Sequence, residues 1–170
     1  MNYIRIDRDN LVNGPGLRTV LWVAGCENYC KGCHNPETWS FTAGQPFTKQ
    51  QVAEILDSLK PEHISGITIS GGDPLNHHNI VDVFDLCKII KMSFPEKTIW
   101  CYTGNTFEEY LRSGEGTVYR DILNYIDVII DGKYVEDLRD MSLQWRGSSN
   151  QRVINVRESL AKHSIVLHIS

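Results

Sequence analysis

Apolar and polar positions alternate through Leu17-Arg18-Thr19-Val20-Leu21-Trp22-Val23, a run rich in strand formers, and predict a strand there. The turn-prone Asn13-Gly14-Pro15-Gly16 precedes it. Thr48 is placed to open a helix, with Gln51 three residues on as in a capping box and Phe47 and Val52 positioned as a hydrophobic staple. Val52, Ile55, Leu56 and Leu59 then share one helical face, and Pro61 ends the run. Residues 66–70 read as a second strand. Residues 77–92 carry Ile80, Val83, Phe84, Cys87 and Ile90 at helical spacing. Residues 97–102 form the next predicted strand. Residues 106–112 and 118–125 read as helical, separated by Gly114-Glu115-Gly116. The apolar run Ile126-Asp127-Val128-Ile129-Ile130 predicts a buried strand, and residues 152–156 and 164–169 two last strands. No internal repeat or low-complexity stretch interrupts the pattern.

Strand followed by helix, several times over, is the pattern of an α/β fold: a mostly parallel sheet with outer crossover helices. A chain of 170 residues suits one domain, 1–170, with a substantial core. A closed eightfold barrel takes about 250 residues, so the expectation is an open, partial β/α barrel of about five or six units. In such sheets chemistry gathers at the carboxyl ends of the strands, which directs attention to the segments that follow them.

Lys and Arg number 17 against 21 Asp and Glu, a net charge of −4 with a pI near 5.8. That balance argues against a nucleic-acid partner and against a basic membrane-binding patch. No apolar run approaches the roughly 20 residues that cross a bilayer. The first residues lack the basic-then-apolar layout of a signal peptide, so the expected location is cytoplasmic.

Five cysteines, Cys26, Cys30, Cys33, Cys87 and Cys101, are an odd number with three crowded into eight residues. That is not a disulfide framework. Cys87 and Cys101 sit inside apolar runs and read as small buried hydrophobes. The trio follows the first predicted strand as Gly25-Cys26-Glu27-Asn28-Tyr29-Cys30-Lys31-Gly32-Cys33-His34. Three thiolates on one short loop suit an iron–sulfur cluster, leaving one iron of a 4Fe–4S cubane open to a substrate. A structural zinc site of three cysteines plus His34 is the alternative, though adjacent Cys33 and His34 chelate one ion awkwardly.

The second strand exits into Gly71-Gly72-Asp73-Pro74-Leu75, where two glycines permit close backbone approach and free amides and carbonyls would suit the charged ends of an amino acid. The next exit carries Tyr102 and Thr103, and the apolar strand 126–130 exits into Asp131, a carboxylate suited to a ribose hydroxyl or a cation. Residues 145–152 are polar and turn-rich.

The cysteine spacing is similar to the CxxxCxxC loop of the radical S-adenosylmethionine (SAM) superfamily, in which such a loop follows the first strand of a partial barrel. Gly71-Gly72-Asp73-Pro74 resembles that superfamily's GGEP motif, with Asp73 in place of the usual Glu. Gly32 stands where the superfamily often has an aromatic residue, which leaves His34 or Tyr29 as the adenine contact. Taken in order, several segments resemble the activating enzymes of anaerobic (class III) ribonucleoside-triphosphate reductases. They are Asn13–Gly16, the cysteine loop with Thr38-Trp39, Gly71–Leu75, Tyr102-Thr103-Gly104, Asp127–Lys133 and Trp145–Arg152.

The resemblance implies a 4Fe–4S cluster on Cys26, Cys30 and Cys33, with SAM on the open iron. SAM would be contacted by Gly32, Cys33, His34, Gly71, Gly72, Asp73, Pro74, Tyr102, Thr103 and Asp131. It implies reductive cleavage of SAM to a 5′-deoxyadenosyl radical, which makes a glycyl radical on the reductase, and no side-chain acid or base. The implied partners are that reductase and a one-electron donor such as flavodoxin. Arg18, residues 34–47 and residues 145–152 are the expected docking surfaces. The alternatives are an activase of pyruvate formate-lyase or another glycyl radical enzyme, a zinc-bound structural module, and a cluster-bearing electron carrier without a SAM site.

Overall fold

The computed structural model describes residues 1–169. Strands β1 (Asn2–Asn10), β2 (Leu17–Val23) and β3 (Gln45–Pro46) come first, followed by helix α1 (Lys49–Leu59) and β4 (Ile64–Gly71). Helix α2 (Ile80–Ser93), β5 (Thr98–Tyr102), α3 (Phe107–Arg112), α4 (Val118–Asp121) and β6 (Val128–Asp131) continue the alternation. The chain closes with β7 (Arg152–Asn155), α5 (Val156–Lys162) and β8 (Leu167–Ile169). All eight strands lie in one open sheet, ordered β3-β1-β2-β4-β5-β6-β7-β8.

The α/β class stands, but the sheet is mixed rather than mostly parallel. Strands β2, β4, β5 and β6 pair in parallel. The flanks are antiparallel: β3–β1–β2 on one side and β6–β7–β8 on the other. The connections differ accordingly: crossovers carrying α1, α2, and α3 with α4 return the chain in parallel through the middle of the sheet, whereas a loop joins β6 to β7 and the short helix α5 lies between β7 and β8. Strand β1 went unrecognised because its charges mask the alternation. Arg5 and Asp7 pair with each other, Arg5 lies over Trp22 at 4.4 Å, and Trp22 donates its indole N–H to Asp7 at 2.7 Å.

Helix α1 begins as the pattern predicts. Thr48 Oγ1 accepts from the Gln50 N–H, and the Gln51 side chain accepts from the Thr48 N–H at 3.0 Å, which satisfies orphan donors at both positions. The helices gather on one face of the sheet. Leu21, Val23, Ile67, Ile69, Ile99, Cys101 and Ile129 point there and meet Ile55, Leu59, Val83, Leu86, Cys87 and Ile90 in a single core. Alternate residues point the other way, where Trp100, Val128, Ile130 and Val153 form a smaller cluster under Trp145. Trp100 and Trp145 meet edge to face at 4.9 Å.

Arg18 lies fully buried on that second face. Its Nε donates to Thr68 Oγ1 at 2.9 Å, Nη1 to Thr98 Oγ1 at 2.9 Å, and Nη2 to the carbonyls of Ile67 and Thr98. Burial lowers its pKa to about 10. Arg18 pairs with Gly66 near the start of the parallel strands, the end opposite the cysteine loop. The expectation that it docks a partner is therefore corrected: a guanidinium so enclosed is a structural brace. No helix of the described residues is long and apolar enough to cross a membrane.

Candidate functional site

Strand β2 releases the chain at Val23, and the cysteine loop begins three residues later. Its start is anchored by backbone bonds: Gly25 N–H donates to Thr38 O at 2.7 Å and Cys26 N–H to Trp39 O at 3.0 Å. Tyr29 packs edge to face on Trp39 at 5.4 Å. Cys26 is buried, and Cys30 and Cys33 are half-buried. The loop turns tightly at its end, where Cys33 N–H donates to Cys30 O at 3.1 Å.

The three thiols are neighbours. Cys26 feels the charge of Cys30, and Cys30 that of Cys33. Burial pushes the Cys26 and Cys30 thiols up, while hydrogen bonds to the sulfurs act the other way. The Asn28 N–H donates to Cys26 Sγ at 3.5 Å and the Asn35 N–H to Cys33 Sγ at 3.4 Å. Among the described residues, no three His, Cys, Asp or Glu side chains are drawn together as around a single ion. His34 is exposed beside Cys33.

The double-glycine segment lies directly against this loop. Gly72 N–H donates to Val23 O at 2.9 Å and Asp73 N–H to Gly25 O at 2.8 Å. A Cβ on Gly72 would stand 2.4 Å from Gly25 O, so only glycine permits this approach. The expectation of free amides here is corrected for these two, because parallel pairing carries β2 and β4 on side by side past their last ladder bonds. Asn79 fastens the same junction, its amide donating to Ala24 O and Asp73 O, each at 3.0 Å.

Asp73 is buried, flanked by buried Pro74 and Leu75, and accepts four hydrogen bonds. Leu75 N–H reaches Oδ1 at 3.0 Å; the Asn28 side-chain amide, Gly104 N–H and Thr103 Oγ1 reach Oδ2 at 3.0, 3.1 and 3.3 Å. Burial raises its pKa, and these donors oppose that. One carboxylate thus joins the cysteine loop, the β4 exit and the β5 exit. Thr103 also shares a hydrogen bond with Tyr110 Oη at 2.6 Å, and Tyr102 Oη donates to Trp145 O at 2.7 Å. A small cavity of about 220 Å³ opens beside Asn28, Asp73, Glu27 and His77.

Asp131 is placed differently from Asp73. Both its oxygens are engaged within the protein, by Arg152 and by the Phe107 N–H at the start of α3. Arg152 in turn grips Glu108 with two bonds, at 2.9 and 2.7 Å. Arg152 lines the larger cleft of about 730 Å³, with Gly104, Asn105, Lys133 and Arg112. Asp131 lines that cleft only with a side chain 1% exposed.

The structure thus brings Cys26, Cys30, Cys33, Gly71, Gly72, Asp73 and Thr103 together at the exits of β2, β4 and β5, with Asp131 one strand further on. Asn28, Asn79 and Glu108 were not foreseen as site residues. Their partners lie 45, 55 and 44 residues away in the chain, and no local pattern marks such bonds.

Comparison with known proteins adds to this geometry. Residues 12–154 match a family model described as a 4Fe–4S single cluster domain. A protein of Pasteurella multocida is 44% identical over 153 residues, covering 89% of this chain and 95% of its own length. One of enterobacteria phage T4 is 44% identical over 163 residues, covering 96% and 99%. One of Escherichia coli K12 is 42% identical over 159 residues, covering 92% and 100%. All three are named anaerobic ribonucleoside-triphosphate reductase-activating protein. This chain belongs to that family. The matched region runs from the turn before β2 to the end of β7, so it contains the cysteine loop, the double-glycine junction and the Arg152 clamp. As a family member the chain carries an iron–sulfur domain, and the donor set of the cysteine loop fits that group in number, softness and hydrogen bonding.

Proposed function

We propose that this protein activates an anaerobic ribonucleoside-triphosphate reductase, as an enzyme of the radical SAM class, by generating a glycyl radical on it. Cys26, Cys30 and Cys33 would hold a 4Fe–4S cluster with one iron left for SAM. Bound there, the pair would supply a one-electron reduction of SAM, giving methionine and a 5′-deoxyadenosyl radical able to take hydrogen from a glycine of the reductase. In this reading the open sheet, with helices on one face, is a partial barrel whose mouth is the exits of β2, β4, β5 and β6. The electron would come from a carrier such as flavodoxin.

The observation that carries the proposal is the junction of cysteine loop and double-glycine segment, joined by Gly72 N–H to Val23 O, Asp73 N–H to Gly25 O and the Asn28–Asp73 bond. It sets the cysteine loop, through Glu27 and Asn28, at the wall of a cavity of about 220 Å³, and closeness of cluster and substrate is what an electron transfer into a bound sulfonium requires. The protein's own part is binding and aim. Gly71, Gly72 and Pro74 shape the wall beside the cluster. Thr103 and Asp73 fix the β5 exit, where Tyr102 also lies. Asp131 holds Arg152 at the larger cleft. Gly32 and His34 border the third cysteine, where His34 is exposed and free to stack on a base. Residues 34–47 and 145–152 flank this mouth and are the proposed contacts for the reductase. No acid or base is needed for hydrogen-atom transfer, consistent with a site whose carboxylates serve as braces.

The test is anaerobic reconstitution with iron and sulfide, followed by reduction and EPR with and without SAM, then incubation with the reductase. A reduced-cluster signal altered by SAM, and a glycyl radical on the reductase, are expected. Uptake of one zinc per chain with no cluster signal would replace the proposal by a structural module. A radical formed on pyruvate formate-lyase but not on the reductase would reassign the partner.

A further inference from the structure

We propose that Asn28 is a positioning residue that couples the first cluster ligand to Asp73 and raises the reduction potential of the cluster. This rests on the cluster reading above and goes beyond it by assigning a role to a residue that is not a ligand.

Asn28 directs two N–H groups at one sulfur. Its backbone N and its side-chain Nδ2 each lie 3.5 Å from Cys26 Sγ, a normal length for so large an acceptor. The same Nδ2 donates to Asp73 Oδ2 at 3.0 Å. A primary amide has two N–H bonds on that nitrogen, and here each has its own acceptor. The amide has no slack to turn. Gly104 closes on it so tightly that a Cβ there would stand 2.2 Å from Nδ2 and 2.6 Å from Cγ. Asp73 is held in its turn by Leu75, Thr103 and Gly104. The side chain is therefore oriented by two separate segments, the β4 and β5 exits, toward a single sulfur.

Hydrogen bonds to the sulfurs of a cluster withdraw negative charge from it and favour the reduced state. Cys26 receives two, from Asn28 alone. Cys33 receives one, from the Asn35 backbone, so the Asn35 side chain contributes nothing to it. The two asparagines thus provide an internal contrast: one acts through its side chain and the other does not.

The experiment is an EPR-monitored redox titration of the reconstituted chain without SAM, alongside Asn28→Leu, Asn28→Ala and Asn35→Ala. Leucine keeps the branched shape against Gly104 and removes both side-chain N–H groups. The expected result is a lower midpoint potential in Asn28→Leu and Asn28→Ala at wild-type iron content, with Asn35→Ala unshifted. A residue that merely packs would leave the midpoint unmoved. Should one Asn28 variant assemble too little cluster to titrate, the other gives the midpoint. Should both, loss of an exchangeable-proton coupling between wild-type cluster in water and in deuterated water is sought by pulsed EPR, and its absence overturns the inference. An unshifted midpoint in either Asn28 variant overturns it too, while the cluster reading stands. A wild-type chain that assembles no cluster overturns both.

Discussion

Arg152 holds Asp131 through Nε on Oδ1 at 3.0 Å and a second bond from Nη2 to Oδ2, while the same guanidinium grips Glu108. Asp131 is 1% exposed and Glu108 is at the surface, so one cation ties a buried carboxylate of β6 to an outer one of α3. Bidentate pairing of this kind depends on the planar fork of arginine.

The first prediction concerns acid stability. The Arg152 hydrogen bonds hold the Glu108 carboxyl at about 2, below its ordinary 4.5. A depressed carboxylate stabilises the fold above its ordinary value and loses that contribution as pH falls toward the lowered one. In Arg152→Gln the difference in unfolding free energy from wild type should shrink between about pH 4.5 and 2. At neutral pH the variant should be less stable by about 2 kcal/mol, because Asp131 loses its charged partner. Urea unfolding across that range measures both.

Thiol reactivity separates the two classes of cysteine. Burial pushes the Cys87 thiol up to about 12 and that of Cys101 well above the ordinary value. Iodoacetamide at mildly alkaline pH should label the cluster-free protein at Cys30 and Cys33, more slowly at buried Cys26, and not at Cys87 or Cys101 until it unfolds. Peptide mass spectrometry gives the order. Correspondingly, Cys30→Ala should abolish iron uptake and radical formation together, whereas Cys87→Ala should retain both.

Gly72→Ala tests the junction. Its Cβ would press on Gly25 O at 2.4 Å, one residue before Cys26. Forcing the two backbones apart should cost about 2 kcal/mol. Because the displaced segment carries Cys26, iron content and SAM affinity should fall together. Retention of full iron content with loss of SAM affinity alone would mean that the two segments are mechanically independent.

Arg18→Met should act on stability and not on docking. The guanidinium bridges β2, β4 and β5 through Thr68, Ile67 and Thr98. Losing those bonds should lower stability by about 1–3 kcal/mol. The affinity of the folded variant for the reductase should equal that of wild type in a calorimetric titration.

Much of the fold was legible because its signals are local. The capping box at Thr48 and Gln51 needs only a threonine and a glutamine three residues apart, and the apolar period of α2 needs only one face to bury. The crowding of Cys26, Cys30 and Cys33 on one loop was legible for the same reason, since it is a matter of spacing. Strand β1 was not, since Arg5 and Asp7 occupy positions that look exposed until Trp22 is beside them. Helix α5 was not legible either: Val156 reads as the end of a strand, and the seven helical residues begin only where the Asn155 side chain caps the Glu158 N–H.

The chemistry of the chain therefore belongs to its primary structure: which thiols, which glycines and which carboxylates stand at strand exits. Their roles belong to the packed fold. Asp73 and Asp131 are the same side chain at equivalent exits, yet one gathers the cysteine loop and the other anchors an arginine at a cleft. Arg18 is a charged residue in an alternating strand, and only the closure of β4 and β5 around it turns a surface candidate into a buried brace. The physical reason is range. Propensity, capping and ligand spacing act within a few residues, whereas burial and hydrogen-bond pairing depend on groups 30 to 50 positions away that meet only when the sheet has formed.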